Sequence, residues 1–244
     1  ICSMTVAQGD AIITKLYRQL LPKLGLQKKF PKLWRHAPLM YQGLDLPHPT
    51  FAQGQDQLRW FQQAGLGDEI NGRLLRTTRE QVQIEIGTSR PVLQENYEDW
   101  GHLLSENLWI GSMWNYCSKF GVVAEEESFE APKIQRSNDR YLMELIAEHY
   151  TFPNRYGNKS KLAWKAEWLA INRCRLSLQI MFLSDITTGD GRSIRTEYLN
   201  FDGSTPRPID STWVWPRQKP TKNDWSLWTA VLKSLSSTTG TLDR

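Results

Sequence analysis

A chain of 244 residues can form one large domain or two small ones, and 40% hydrophobic with 23% charged residues is typical of globular proteins. The longest apolar runs fall far short of the roughly 20 residues that a membrane span needs, so no membrane partner is expected. Three cysteines, far apart and without metal-ligand spacing, indicate neither a disulfide framework nor a zinc site. We therefore expect an intracellular location, cytoplasmic or nuclear.

Charge is distributed unevenly along the sequence. Residues 1–35 carry seven basic side chains and one acidic side chain. Residues 36–154 carry nine basic and 17 acidic side chains, and residues 155–244 carry 14 basic and eight acidic ones. No acidic residue occurs from Ala11 to Leu44, and the cations that accumulate early in the chain are candidate phosphate contacts: Lys15, Arg18, Lys23, Lys28, Lys29, Lys32 and Arg35. A solvated basic helix face is the alternative interpretation.

Apolar periodicity predicts three helical regions in the first 90 residues. The first is an amphipathic helix over Val6–Leu21, which a following proline and glycine should end. Thr50 is the expected N-cap of a second helix over Phe51–Ala64. The third region, Asp68–Ile86, predicts two helices joined near its consecutive threonines.

Three more helices are predicted in the middle of the chain. Aromatic and apolar residues at three- and four-residue steps indicate a helix over Trp109–Phe120. Ser137 or Asn138 should cap a helix over Asp139–His149. The strongest periodic segment, Ser160–Asp185, predicts a long, central and largely buried helix.

The last third of the chain mixes short strands with one helix. Glu197–Phe201 and Thr212–Trp215 have the composition of short strands, and Asp224–Leu235 predicts a final helix. The acidic run Glu125–Glu130 is the best internal boundary. We expect a mainly α fold, a multi-helix globular array with a few short β segments near residues 197–215, divided into a basic helical segment 1–49, helical subdomains 50–124 and 131–235, and a frayed tail 236–244.

No complete catalytic site, metal site or cofactor site is recognised. Tyr97–Trp100 lacks the second aspartate of a polymerase Tyr-x-Asp-Asp turn and favours a polar helix start. Asp202, followed by glycine and serine, favours an Asp-Gly turn over the start of a ribonuclease H motif, because prolines interrupt the next strand. A nuclease that uses Asp185, Asp190 and Asp202 is the least favoured hypothesis.

Two segments combine basic and aromatic residues in the pattern that single-stranded nucleic acid binding uses. They are Arg155–Arg175 and Trp213–Lys222. In the first segment, helical spacing predicts that the side chains of Trp164 and Trp168 lie in the core. At least one of the arginines that flank Cys174, Arg173 and Arg175, is expected to reach a buried carboxylate or carbonyl group in a structural role.

The chain resembles the region that follows the polymerase palm in reverse-transcriptase-like proteins of retroelements from unicellular eukaryotes. The resemblance spans nearly the whole chain, and its most specific strings are Asn-Arg-Cys-Arg-Leu and Ser-Asp-Ile-Thr-Thr-Gly-Asp-Gly. The resembling stretches are Leu20–Leu46, Tyr97–Leu104, Asn138–Leu145, Ile171–Ile194 and Trp213–Leu232.

The resemblance implies a thumb-like first segment that grips primer and template, followed by a helical extension. It also implies that the fingers, the palm and the catalytic aspartates of the polymerase lie before Ile1, and the absence of an initiator methionine agrees with a piece of a longer protein. The expected partners are RNA or an RNA/DNA hybrid and the upstream polymerase domain of the parent chain. The alternative is a helical structural or protein-interaction domain that binds no nucleic acid.

Overall fold

A computed structural model describes residues 4–65, 67, 69–104, 109–123, 136, 139–149, 161–204 and 213–236, with the side chains of 161–164 left out. Across these residues the chain is mainly α-helical, as predicted. The helices are α1 (Val6–Lys23), α2 (Lys32–His36), α3 (Pro49–Gly65), α4 (Ile70–Ile86), α5 (Tyr97–Trp100), α6 (Trp109–Phe120), α7 (Leu142–His149), α8 (Lys161–Ser177), α9 (Thr196–Leu199) and α10 (Lys222–Ser234).

Short 3-10 turns lie at Leu39–Tyr41, Val92–Gln94, Gly101–Leu103 and Leu183–Asp185. The β structure of the described residues consists of isolated bridges, such as the antiparallel one between Tyr141 and Phe182. No helix in this described part of the chain is both long enough and apolar enough to cross a membrane.

Several predicted helices are confirmed, and α6 has the predicted bounds. The predicted N-cap of α3 is wrong, because the residue that caps its first turn is a histidine. Nδ1 of His48 accepts a hydrogen bond from the backbone N–H of Thr50 at 3.3 Å. The predicted break at the consecutive threonines is also wrong, since Ile70–Ile86 forms one helix.

The predicted central helix ends eight residues early. Gln179 adopts a left-handed conformation with φ +57°, and the N–H of Ile180 donates back to the carbonyl of Arg175 at 3.0 Å, which closes α8. The predicted strand over Glu197–Phe201 is wrong as well. Its buried aromatic residues are Tyr198 and Phe201, spaced by the three residues of a helical turn and not by the two of a strand.

Some predictions fall outside the described residues: the acidic boundary Glu125–Glu130, the caps Ser137 and Asn138, and residues 237–244 of the tail. The chain divides into two compact units. Unit 1 consists of residues 1–75 and 107–122, and unit 2 consists of residues 76–106 and 123–244. These units cut across the predicted segment boundaries, because α6 returns to pack on α3 within unit 1.

The core of unit 2 lies between α8 and α10. Trp168 and Cys174 of α8 share a buried cluster with Trp228 and Val231 of α10. A second cluster brings Trp215 against residues that follow α8. Large buried indoles therefore contribute much of the packing of this unit.

A fully buried arginine ties the ends of two helices together in unit 2. The guanidinium of Arg175 donates to the carbonyls of Ile84 at 2.6 Å, Glu85 at 2.9 Å and Ile180 at 3.1 Å, and to Oδ1 of Asn172 at 2.8 Å. The first two carbonyls belong to the last turn of α4, where no helical partner is available and where the helix dipole favours a cation. Arg175 thus caps α4 from the end of α8, as the sequence predicts for an arginine beside Cys174.

The surroundings of Arg175 complete this cap. Asn172 also donates to the carbonyl of Glu85 at 2.8 Å. Burial lowers the pKa of Arg175 to about 9, while the carboxylates of Glu85 and Asp185 oppose that shift. Gly87 follows α4 with φ +78°, and a Cβ at this position would lie 2.9 Å from Cζ of Arg175.

A second arginine of α8 fixes the start of α10. Arg173 binds Asp224 through Nε and Nη2 at 3.1 and 2.9 Å. Asp224 also forms a capping box with Thr221 at the start of α10. Burial acts to raise the pKa of Asp224, but the hydrogen bonds from Arg173 and Thr221 outweigh it, so the pKa is lowered.

We expect Gly87→Ala to destabilise unit 2. A left-handed backbone costs an alanine about 1–2 kcal/mol, and the new Cβ must also displace a guanidinium that buried hydrogen bonds hold. The expected total loss in the free energy of unfolding is about 3 kcal/mol or more. Urea unfolding followed by tryptophan fluorescence measures it.

Gly191→Ala is the matched control in the same unit. Gly191 has φ +71°, but its nearest neighbour is the end of the Arg136 side chain at 3.1 Å, which can move. This variant should show the backbone cost of about 1–2 kcal/mol alone. Equal losses in the two variants would contradict the proposed role of the Arg175 cap.

Candidate nucleic-acid interface

Helix α1 presents its basic residues away from the core of unit 1. Its buried face consists of Gly9, Ile13, Tyr17 and Leu21, spaced by four residues. Leucines and a phenylalanine from the segments 26–30 and 44–46 pack against this face. The cations of α1 lie off the buried face and are exposed to solvent.

The seven predicted phosphate contacts divide into two groups. Two of them are engaged within unit 1: Lys32 in an ion pair and Arg35 in a packed contact. The other five are exposed and form no ion pair with any residue in the described part of the chain: Lys15, Arg18, Lys23, Lys28 and Lys29. Three of these lie on α1, and the last two occupy the turn before α2.

Asp10 is the acidic residue that holds Lys32. Its Oδ1 lies 2.6 Å from Nζ of Lys32 and 3.2 Å from Nε2 of His48. Hydrogen bonds from Lys32 and then His48 lower the pKa of this carboxyl group. Asp10, which precedes the basic stretch, is therefore already paired within unit 1 and does not neutralise the five exposed cations.

Arg35 positions α2 against α1. Its Nε donates to the carbonyl of Phe30 at 2.7 Å, and its guanidinium lies 5.7 Å from the centre of the Tyr17 ring. Burial raises the pKa of Tyr17, and the nearby charge of Arg35 opposes that shift. Arg35 has a structural function here, so five of the seven predicted residues remain as a candidate interface.

The other predicted basic and aromatic segments do not present their aromatic rings to solvent where the structure describes them. Trp168 is buried in the core of unit 2, as its spacing predicts, and the side chain of Trp164 lies outside the described part. Trp215 is buried, and Trp213 packs against Phe182. Trp168 and Trp215 are core residues that cannot stack on bases, and Trp213 is partly buried beside them.

The aspartates of the nuclease hypothesis serve as local caps and turns. Asp185 accepts the N–H groups of Met181 and Phe182 at 2.8 Å. Hydrogen bonds from Thr188 and the N–H of Arg192 lower the pKa of Asp190, and hydrogen bonds from the hydroxyl and N–H of Ser204 lower that of Asp202. The residues that the structure describes contain no group of three metal-ligating side chains.

Comparison with known proteins finds no match for this chain among protein-family models, curated proteins or solved structures.

The ion pair of Asp10 should be visible in its titration. Lys32→Met should raise the pKa of Asp10 towards its ordinary value of 3.8, because the first of its two charged partners is lost. Since the folded-state pKa is the lower one, any stabilisation from this pair is complete above the unfolded pKa and is lost as the pH falls through the folded pKa. NMR titration of the Asp10 carboxyl carbon measures the shift.

Lys29→Met is the control for this titration. Lys29 carries the same charge and length but has no contact with Asp10. Its loss should leave the pKa of Asp10 nearly unchanged, and an equal shift in both variants would show that general charge, and not the ion pair, sets the pKa.

Proposed function

We propose that this chain is a noncatalytic, nucleic-acid-binding part of a retroelement reverse transcriptase, an RNA-directed DNA polymerase. Unit 1 binds a primer–template duplex or RNA through the phosphate backbone. The polymerase chemistry belongs to another part of the parent chain, which is the second partner of this region. The single observation that carries the proposal is the set of five exposed cations that have no ion pair in the described residues.

The electrostatics of unit 1 support this function. Solvent-exposed lysine and arginine side chains bind phosphate groups electrostatically. Their binding releases counterions from the nucleic acid. No acidic residue lies between Ala11 and Leu44, and Asp10 is already bound to Lys32 and His48. The positive charge of this surface is therefore available to a polyanion.

The resemblance of the sequence to reverse-transcriptase-like proteins supports the same function independently of the charges. Its first stretch, Leu20–Leu46, contains Lys23, Lys28 and Lys29 and is the part that resembles a polymerase thumb. Phosphate contacts of this kind position a duplex without reading its sequence. We expect binding that depends strongly on salt and weakly on base sequence.

Neutralising the exposed lysines should weaken binding and reduce its salt dependence. We expect the variant Lys15→Gln, Lys23→Gln, Lys28→Gln and Lys29→Gln to lower the slope of log affinity against log salt by about 3 to 4, because each lost contact removes about 0.9. Fluorescence anisotropy with a labelled RNA/DNA hybrid at several salt concentrations measures this slope. Lys32 and Arg35 stay unchanged because both are engaged in unit 1.

The matched control removes exposed cations from unit 2. Arg217→Gln with Lys219→Gln should leave the slope within about 0.5 of the original, if unit 1 carries the contacts. An unchanged slope in the quadruple variant, or a change of about 1.8 in the control, as expected if both of its cations contact phosphate, would contradict the proposed interface.

Exposed apolar side chains favour a second candidate function, a protein-interaction domain without nucleic-acid binding. Leu33 is 86% exposed, Met40 78% and Leu39 70%, and exposed apolar clusters often mark protein interfaces. Sedimentation velocity over a range of concentrations separates the two candidates. Self-association together with no affinity for the hybrid would favour this one, and a monomer that binds the hybrid would exclude it.

A further inference from the structure

The segment that joins α1 to α3 folds into a closed loop with an outward tip. The N–H groups of Leu44 and Leu46 donate to the carbonyls of Trp34 and Arg35, both at 2.9 Å. These bonds bring the two arms of the loop together and leave the turn at 38–43 as its tip. Gly43 is required there, because a Cβ would lie 1.9 Å from the carbonyl oxygen of Ala37.

One side of this loop is anchored in unit 1. Nδ1 of His36 lies 2.7 Å from the carbonyl oxygen of Leu46, and its ring packs against Tyr17 and His48. Arg35 is held beside Tyr17 as well. The residues that face the rest of unit 1 are therefore fixed, and the loop is a stable platform for the side chains on its other side.

This loop carries two exposed aromatic rings. Trp34 is 47% exposed and Tyr41 is 63% exposed, and neither ring contacts another ring among the described residues. Lys28 and Lys29, two of the five exposed cations, lie in the turn that leads into this loop. Large aromatic side chains are usually buried. The exposure of two of them on a basic surface therefore points to a ligand that covers them.

We infer that Trp34 and Tyr41, on the loop beside Lys28 and Lys29, form a stacking site for unpaired bases of single-stranded nucleic acid. This inference rests on the proposed function, and it adds the form of nucleic acid that the interface prefers. Cations follow the backbone of a single strand while aromatic rings stack on its bases, and this stacking tolerates any base because every base has a flat face.

A duplex gives these rings much less to contact. Its bases are stacked on each other, so a protein surface meets phosphates, sugars and base edges. The lysines contact phosphates in a duplex and in a single strand, whereas the rings gain only from unpaired bases. The preference for a single strand should therefore depend on the rings, and the salt dependence should depend on the lysines.

The test compares two probes of equal length: a labelled 12-nucleotide single-stranded RNA and the blunt RNA/DNA hybrid of the same sequence. We expect the unchanged protein to bind the single strand about tenfold or more tightly than the hybrid. The variant Trp34→Leu with Tyr41→Leu should lose about tenfold or more in affinity for the single strand and change by less than about twofold for the hybrid. Both side chains are exposed, so circular dichroism should match that of the parent protein.

The matched control is Leu39→Ala with Met40→Ala, on the turn that carries Tyr41 and more exposed than either ring. It keeps both rings and should keep the preference for the single strand. Equal affinity for the two probes, or an equal loss in the control and ring variants, would overturn the stacking site while leaving the lysine interface in place. Absence of binding to both probes would overturn the stacking site and the proposed function together.

Discussion

The hydrogen bonds of Arg175 are the constraint on which the architecture of unit 2 depends. A buried guanidinium needs several acceptors, and the end of α4 provides carbonyl groups that lack helical partners. The guanidinium can reach these carbonyl groups only because position 87 is a glycine and because α8 ends early, after Ser177. Once this junction is formed, Arg173 can fix α10 through Asp224, and the buried indoles pack between the two helices.

Unit 1 uses its charges in a different way. In its basic stretch, two cations, Lys32 and Arg35, are engaged with neighbouring residues. The five other cations of the basic stretch are exposed and form no ion pair in the described part, and since exposed ion pairs contribute little, leaving these cations unpaired costs little stability. The arrangement suits a surface whose function is to meet phosphate. The closed loop that carries Trp34 and Tyr41 extends that surface with aromatic rings.

The sequence predicts those features that depend on local periodicity. The bounds of α6 follow from its regular apolar spacing and from Gly121 behind it. The early end of α8 was not predictable in the same way, because it depends on a left-handed Gln179 and on an acceptor arrangement built from distant residues. The basic stretch itself was visible, but which cations are engaged depends on a contact between Asp10 and Lys32, 22 residues apart.

We propose that unit 1 binds nucleic acid through the phosphate backbone of that nucleic acid. The most direct measurement is the affinity of the unchanged protein for an RNA/DNA hybrid as a function of salt. Five contacts predict that log affinity falls linearly with log salt, with a slope of about −4.5. A slope near zero, or no binding at low salt, would contradict the account.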